Sequence, residues 1–382
     1  MTLVGPPQKP SSEALSAREV TAILGMMYSA PIIYTPIRMF EVASTSAWIA
    51  GLLSGVVGAG TVYIWTRLSA SFPRQTLPEF VPRIVGPYVG WAINLIFLIY
   101  FVYEVAISTR MISEVVLQVL PETPIGVIMA MSLVTGALVT RLGPEVLGRM
   151  ATIHLGIALT GFLFMVVALA PLVQLRNFQP FLVGGWFPVL QATTPPASLF
   201  SHITLISFLL PLVPLDPPDE NAVQTRFRQG MKVGMIGIGI SWLLFFLLLV
   251  LAQGVFSADE TARLAIPAFS LARAIDFGVF FERVEVSLLA LWLPAVLIKT
   301  CTFLYVASLT LGHLAATPSY RRYVLPLAGM TLPAAYTLAS NLPELIRLVN
   351  GAWVIIAIGV KVLLPLLLLI LHLVRGRVSS AF

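Results

Sequence analysis

Charged residues divide this chain into long apolar runs, and the lengths of those runs predict its elements. Residues 20–37, 42–66, 84–103, 123–140 and 150–175 contain no Asp, Glu, Lys or Arg. A helix needs about 20 mostly apolar residues to cross the hydrocarbon core of a bilayer, so each run is of spanning length. The third continues past Glu104 toward residue 118. The uncharged stretch 177–215 is too long for one helix and contains Gly184, Gly185, Pro188, Pro195 and Pro196, so it is read as an outer loop followed by a sixth helix from about Leu199. Runs at 233–258 and 323–343 predict helices seven and nine, while 286–312 and 348–374, each interrupted by one lysine, predict eight and ten. The expected fold is an all-α polytopic membrane protein with ten transmembrane helices.

Composition agrees: 58% of residues are apolar and 10% charged, where a soluble surface needs roughly 25% charged residues. The net charge of +6 orients the chain. With the N-terminus inside, the inner segments hold about twice as many Lys and Arg as the outer ones, as the positive-inside rule requires. Residues 1–18 then form a cytoplasmic tail, 19–376 the membrane domain and 377–382 a second cytoplasmic tail. The first of these has no apolar core, so no cleavable signal peptide is expected. Basic residues so distributed face lipid headgroups and give no reason to expect nucleic acid. The single cysteine, Cys301, and four scattered histidines argue against a disulfide, a metal site or redox chemistry. Without a glycine-rich phosphate loop or a nucleophile triad, no catalytic residue, enzyme activity or cofactor is assigned.

Helices one and six run in opposite directions, so repeats of five helices, at about 19–175 and about 199–375, would be inverted. Many secondary transporters are built this way and hold substrate at broken helices in matching positions. Helix one carries Gly25 and then Tyr28-Ser29-Ala30-Pro31 in mid-span; helix six carries Ser201, His202, Thr204, Ser207, Pro211 and Pro214. A proline inside a helix frees backbone groups that lipid cannot satisfy and a ligand can. A half-helix starting near Pro31 would aim free amides at a carboxylate.

Ionisable groups at membrane depth should be paired or line a polar cavity. Glu104, with Tyr100 and Tyr103 beside it, would bind an ammonium group, relay a proton or pair with a lysine. Lys299, flanked by Thr300 and Thr302, would replace a coupling sodium ion, pair with Glu104 or serve as a structural charge. Lys361 is expected to snorkel or cap carbonyls, with no site role. His202 falls on the helix-six break, whereas His154 reads as a hydrogen-bonded core residue. Arg110 and Glu114, four apart, should form a salt bridge. The outer segment 256–284 is expected to be an interfacial helix, or else a lid.

Several stretches together resemble the spore-germination permeases, the B subunits of GerA-type germinant receptors in the amino acid–polyamine–organocation superfamily. They are Leu15-Ser16-Ala17-Arg18-Glu19-Val20, Ala47-Trp48-Ile49, Phe72-Pro73-Arg74-Gln75-Thr76-Leu77, Leu120-Pro121-Glu122-Thr123-Pro124, Gly143-Pro144-Glu145-Val146-Leu147-Gly148-Arg149, and Ile298-Lys299 ahead of Phe303-Leu304-Tyr305. Phe200-Ser201-His202 stands where the family commonly has Phe-Gly-Glu. The resemblance implies a leucine-transporter-like fold, a germinant site on helices one, three, six and eight, and assembly with an A-type membrane subunit and a C-type lipoprotein. It also implies the inner membrane of an endospore. On that reading a small nutrient, an amino acid foremost, places its carboxylate at Gly25, Tyr28, Ser29, Ala30 and Pro31, and its ammonium near Ser201 and His202, helped by Glu104. Tyr103, Phe200, Thr300 and Phe303 then select the side chain, and Lys299 stands in for sodium. A stand-alone cation-coupled amino-acid permease would use the same fold and site. A membrane-embedded enzyme using Glu104, His154 and His202 has no support from their spacing.

Overall fold

Two kinds of local signal start the helices. Ser16 caps α1 (Ala17–Met26), accepting from the Glu19 amide while the Glu19 carboxylate accepts from the Ser16 amide, a reciprocal box that satisfies two otherwise unpaired donors. Thr76 and Glu79 repeat it at α4 (Leu77–Val85). Elsewhere the punctuation is Gly-Pro. Gly86 and Gly143 take positive φ, 91° and 106°, and Pro87 and Pro144 open α5 (Pro87–Val116) and α7 (Pro144–Leu169). Glycine tolerates that backbone, and a first-turn proline gives up only an amide the helix would leave unpaired.

The computed structural model describes residues 13–27, 34–180, 182–215, 221–275, 284–317 and 319–379. After α1 come α2 (Thr35–Ala43) and α3 (Ala47–Ala70), then α4, α5, α6 (Ile125–Leu142) and α7. The second half contains α8 (Trp186–Phe200), a 3-10 stretch Ser201–Leu205, α9 (Ile206–Leu209), α10 (Ala222–Phe256), α11 (Ala258–Thr261), α12 (Pro267–Arg273) and α13 (Val284–Leu314). It closes with α14 (Arg321–Thr337), α15 (Leu342–Asn350), α16 (Ala352–Ile358), a π-helical turn Gly359–Leu363 and α17 (Leu364–Ser379). Among the described residues, eight helices are long and apolar enough to cross a membrane. Two of the ten predicted spans fall outside that set. The first is divided between α1 and α2, which flank residues 28–33, outside the described residues; the ninth is α14, 17 residues long.

Helix six begins earlier than the sequence reading has it. Trp186–Leu212 forms one span, and Pro195 and Pro196 lie inside α8 rather than in a loop. A side-chain hydroxyl helps make this possible: Thr194 Oγ1 donates at 2.8 Å to the Gln191 carbonyl, which Pro195, four residues on, leaves without an amide. The outer segment is also corrected. In α12, Pro267, Ala268, Phe269, Leu271 and Ala272 are buried against α10 and α13, so its apolar face is covered by protein and not by the lipid interface. Residues 276–283 lie outside the described residues.

The connections gather on two opposite faces. On one, Arg226 donates to the carbonyls of Pro73 at 3.0 Å and Val213 at 2.9 Å, tying the turn after α3 to the end of helix six. The Leu15 amide donates to Leu212, and His372 of α17 packs on Phe72. On the other, Gln253 Nε2 bridges the carbonyls of Thr45 and Asn177 at 2.8 and 3.1 Å.

Between the faces, α5 packs along α13, α3 along α10 and α8, and α1 against α7 and α10. The α1–α10 approach depends on Gly237, where an added Cβ would stand 2.8 Å from Leu24 Cβ and 3.1 Å from the Thr21 carbonyl oxygen. Gly237→Ala must push α1 away from α10. The expected cost is about 1–3 kcal/mol, read as a lower melting temperature of the purified protein in detergent.

Candidate functional site

Glu104, on α5, is 2% exposed, and side chains from three other membrane segments converge on its carboxylate. Lys299 Nζ of α13 is 3.1 Å from Oε2. His202 Nε2, on the 3-10 stretch of helix six, is 3.2 Å from Oε1. From helix ten, Trp353 Nε1 donates to Oε1 at 3.3 Å, and Lys361 Nζ lies 3.9 Å from that oxygen. The Tyr100 hydroxyl, one turn before Glu104, donates to Oε1 as well. Lys299 and Lys361 are 2% and 1% exposed. In a medium that solvates ions poorly, such charges persist only with partners, and here one carboxylate partners two ammonium groups.

Local structure aims each arm. Glu104 follows Tyr100 by four residues, which places them on one helix face. The tightened turn of Ser201–Leu205 keeps His202 inside, against the edge of the Phe303 ring at 5.2 Å, and Phe303 in turn carries Lys299 Nζ 5.6 Å from its centre. Helix ten is jointed twice. It bends at Gly351 (φ −116°, ψ −107°) and widens at Gly359–Leu363. At about 100° per residue, eight residues of α-helix leave Lys361 about 80° around from Trp353. A π turn absorbs extra residues and takes up part of that angle, so both side chains meet Glu104. Trp65 Nε1 holds the wide turn by donating to the Lys361 carbonyl at 2.8 Å. Tyr100 touches both, stacked on Trp353 at 5.1 Å and with the Lys361 ammonium 5.3 Å from its ring centre.

The predicted site residues divide accordingly. Glu104, Lys299, His202 and Phe303 come together, and Lys299 pairs with Glu104, one of the roles open to it. Lys361 is a correction: it does not snorkel, and its ammonium joins the same centre. Tyr103 is 42% exposed; it touches Trp353 from the outside, because the residue before Glu104 points about 100° away. Phe200 packs on Phe245, Ser201 donates to the Ser198 carbonyl, and Thr300 donates to Val296 with its methyl toward Gly136 of α6. Gly25 faces scaffold, its carbonyl accepting from Ser241 at 2.9 Å. Tyr28, Ser29, Ala30 and Pro31 lie outside the described residues. His154 bonds the Leu291 carbonyl at 2.7 Å, as a core histidine should, and Arg110 pairs with Glu114 at 2.6 Å. Tyr100 was visible only as a neighbour of Glu104, and Trp353 carried no polar signal in an apolar run. Among the described residues, no group of three or more His, Cys, Asp and Glu is placed to hold a metal ion.

A cavity of about 280 Å³ is lined by Ile37, Arg38, Glu41, Ile346, Arg347, Asn350 and Gly351. Trp353 follows Gly351 by two residues, so the same joint borders the cavity and aims a donor at Glu104.

Long apolar helices packed around a buried polar centre define a multi-pass membrane protein, and solved structures bear out the fold. The chain superposes on a manganese transporter from Eremococcus coleocola with a TM-score of 0.66 at 13% identity, over 96% of this chain and 81% of that one. It superposes on Mhp1, a nucleobase-cation-symport-1 family transporter in a closed conformation with bromovinylhydantoin bound, with a TM-score of 0.62 at 13% identity, over 91% and 78%. The fold is the leucine-transporter-like one. Within that class, residues 15–316 match the spore germination protein family, and the chain belongs to it. Its relatives include spore germination protein YndE of Bacillus subtilis, 26% identical over 96% of this chain and 98% of that protein. Spore germination protein KB of the same organism is 25% identical over 80% of each.

Proposed function

We propose that this protein is the nutrient-sensing subunit of a spore germinant receptor, acting in the inner membrane of the spore with both termini in the cytoplasm. Its ligand is a small nutrient, an amino acid foremost, and its partners are an A-type membrane subunit and a C-type lipoprotein. The observation that carries this reading is the Glu104 centre, where one carboxylate joins helices three, six, eight and ten. A ligand that touches any arm changes the hydrogen bonds of the others. Binding signals only if it prefers one arrangement of those helices, since equal affinity for two states shifts neither.

Family membership and the core geometry support this over an enzyme. Glu104 accepts three hydrogen bonds and faces two lysines, so it serves better as the joint between helices than as the ammonium ligand of the first reading. The nutrient is then taken at Tyr28 to Pro31 of helix one together with His202 and Phe303, and enters by way of the cavity bordered by Gly351. His202 suits this place: with Nε2 directed at Glu104, its Nδ1 is buried and has no hydrogen-bond partner among the described residues.

Thermal stabilisation of the purified protein across amino acids, sugars and nucleosides tests the reading. One nutrient is expected to raise the melting temperature saturably, and Phe303→Ala is expected to weaken that response about tenfold or more, in line with loss of a buried aromatic contact. Stabilisation that survives Phe303→Ala unchanged would move the ligand elsewhere. The transporter fold favours a second reading, a stand-alone permease. Nutrient uptake by proteoliposomes containing only this chain would establish it, and binding without uptake would favour the receptor.

A further inference from the structure

The core centre contains more positive than negative charge. Among the described residues, Lys299 and Lys361 are its cations and Glu104 is its one carboxylate; residues 28–33, Tyr-Ser-Ala-Pro-Ile-Ile, contain no Asp or Glu. The two lysines are not equivalent. Lys299 Nζ is at contact distance from Oε2. Oε1 already receives hydrogen bonds from Tyr100, His202 and Trp353, which leaves Lys361 at 3.9 Å, too far for a hydrogen bond. No described residue accepts a hydrogen bond from its Nζ, and the Tyr100 ring supplies only the softer attraction of an aromatic face. An ammonium buried to 1% exposure on a turn built to point it inward has three protons and lacks an acceptor of its own. A buried charge in that position is costly until a counter-charge arrives.

We propose that a small anion completes the centre at Lys361, either a carboxylate brought by the ligand or a free halide. The anion neutralises the excess charge and receives the Lys361 protons that Glu104 cannot. Trp353 lies in α16 and Lys361 in the π turn that follows it, so an anion held at Lys361 acts on the jointed part of helix ten. The carboxylate arm rests on the nutrient-binding reading above; the halide arm does not.

The test uses the full-length protein purified in detergent with methanesulfonate as the sole counter-anion, its melting temperature followed during titration with chloride, acetate, L-alanine and L-alaninamide. A saturable rise with chloride assigns a halide. A rise with acetate or L-alanine, absent with L-alaninamide and chloride, assigns a ligand carboxylate. In either case Lys361→Met is expected to weaken the anion by about tenfold or more, the worth of one charge-assisted hydrogen bond, while Lys361→Arg retains the response. No saturable response of the parent protein to chloride, acetate or L-alanine overturns the inference without recourse to any variant. So does a response that Lys361→Met leaves intact. A nutrient identified from the wider panel that lacks an anionic group, with chloride inert, would leave the receptor reading standing and overturn this one. Chloride binding at Lys361 without any nutrient response would do the reverse.

Discussion

Glu104→Ala is expected to lower the stability of the purified protein by about 3–5 kcal/mol, the cost of removing one member of a buried ion pair. The magnitude follows from what stays behind. Lys299 and Lys361 remain at membrane depth, 2% and 1% exposed, and neither has another carboxylate among the described residues. Tyr100, His202 and Trp353 each lose the acceptor they share. A surface carboxylate in a comparable pair, such as Glu145 with Arg149, should cost no more than about 1 kcal/mol, so the contrast between Glu104→Ala and Glu145→Ala isolates burial. Glu104→Gln keeps the shape and one acceptor oxygen and should fall between them. If the damage comes from stranded cations, Glu104→Ala combined with Lys299→Met must be less destabilised than the two single losses predict, because the lysine then removed was already unpaired. Thermal melts of the four proteins in one detergent check this. Additive losses would mean that packing, and not charge, dominates the site.

That centre was half legible in the sequence. The requirement that charges at membrane depth be paired or solvated singled out Glu104 and Lys299, and their pairing across 194 intervening positions of chain is what the rule demands, since only the fold decides which acid meets which base. Lys361 met the same rule and was set aside, because long lysine side chains near a membrane surface reach water. Its backbone belongs to a π turn, which no residue pattern announces, and that turn directs the side chain inward. Trp353 was invisible for a different reason. An indole in an apolar run reads as core, and its donor role appears only when Glu104 is brought to it. The helices themselves were read well from the spacing of charges, while helix six was cut short by Pro195 and Pro196. Prolines break a helix when their freed carbonyls go unsatisfied, and the Thr194 hydroxyl satisfies the Gln191 carbonyl that Pro195 frees.

Arg226 gave no signal beyond its positive charge, yet its replacement should have the second largest effect. The guanidinium is 2% exposed and makes three hydrogen bonds, to the Pro73 and Val213 carbonyls and, at 2.8 Å, to Gln229 Oε1. Bonds from a charged donor are worth about 1.5–3 kcal/mol each, but Pro73 is half-buried and water can take over part of the loss. Arg226→Met, which keeps the aliphatic stem, is therefore expected to cost about 2–4 kcal/mol. The bonds join the turn after α3 to the end of helix six, so the loss should fall unevenly on conformations that separate those elements. A bias of 2 kcal/mol changes such a population about thirtyfold. Ser207, fully buried between His202 and that clasp, reports on it: in a Ser207→Cys protein, maleimide labelling should be slow in the parent and at least tenfold faster with Arg226→Met. Cys301, itself buried, supplies the background rate. A drop in melting temperature with no change in labelling would make the clasp a fastening of the folded state alone. Faster labelling would mean that Arg226 closes the face carrying both ends of the membrane domain, so that the Glu104 centre and the clasp restrain opposite ends of the same path.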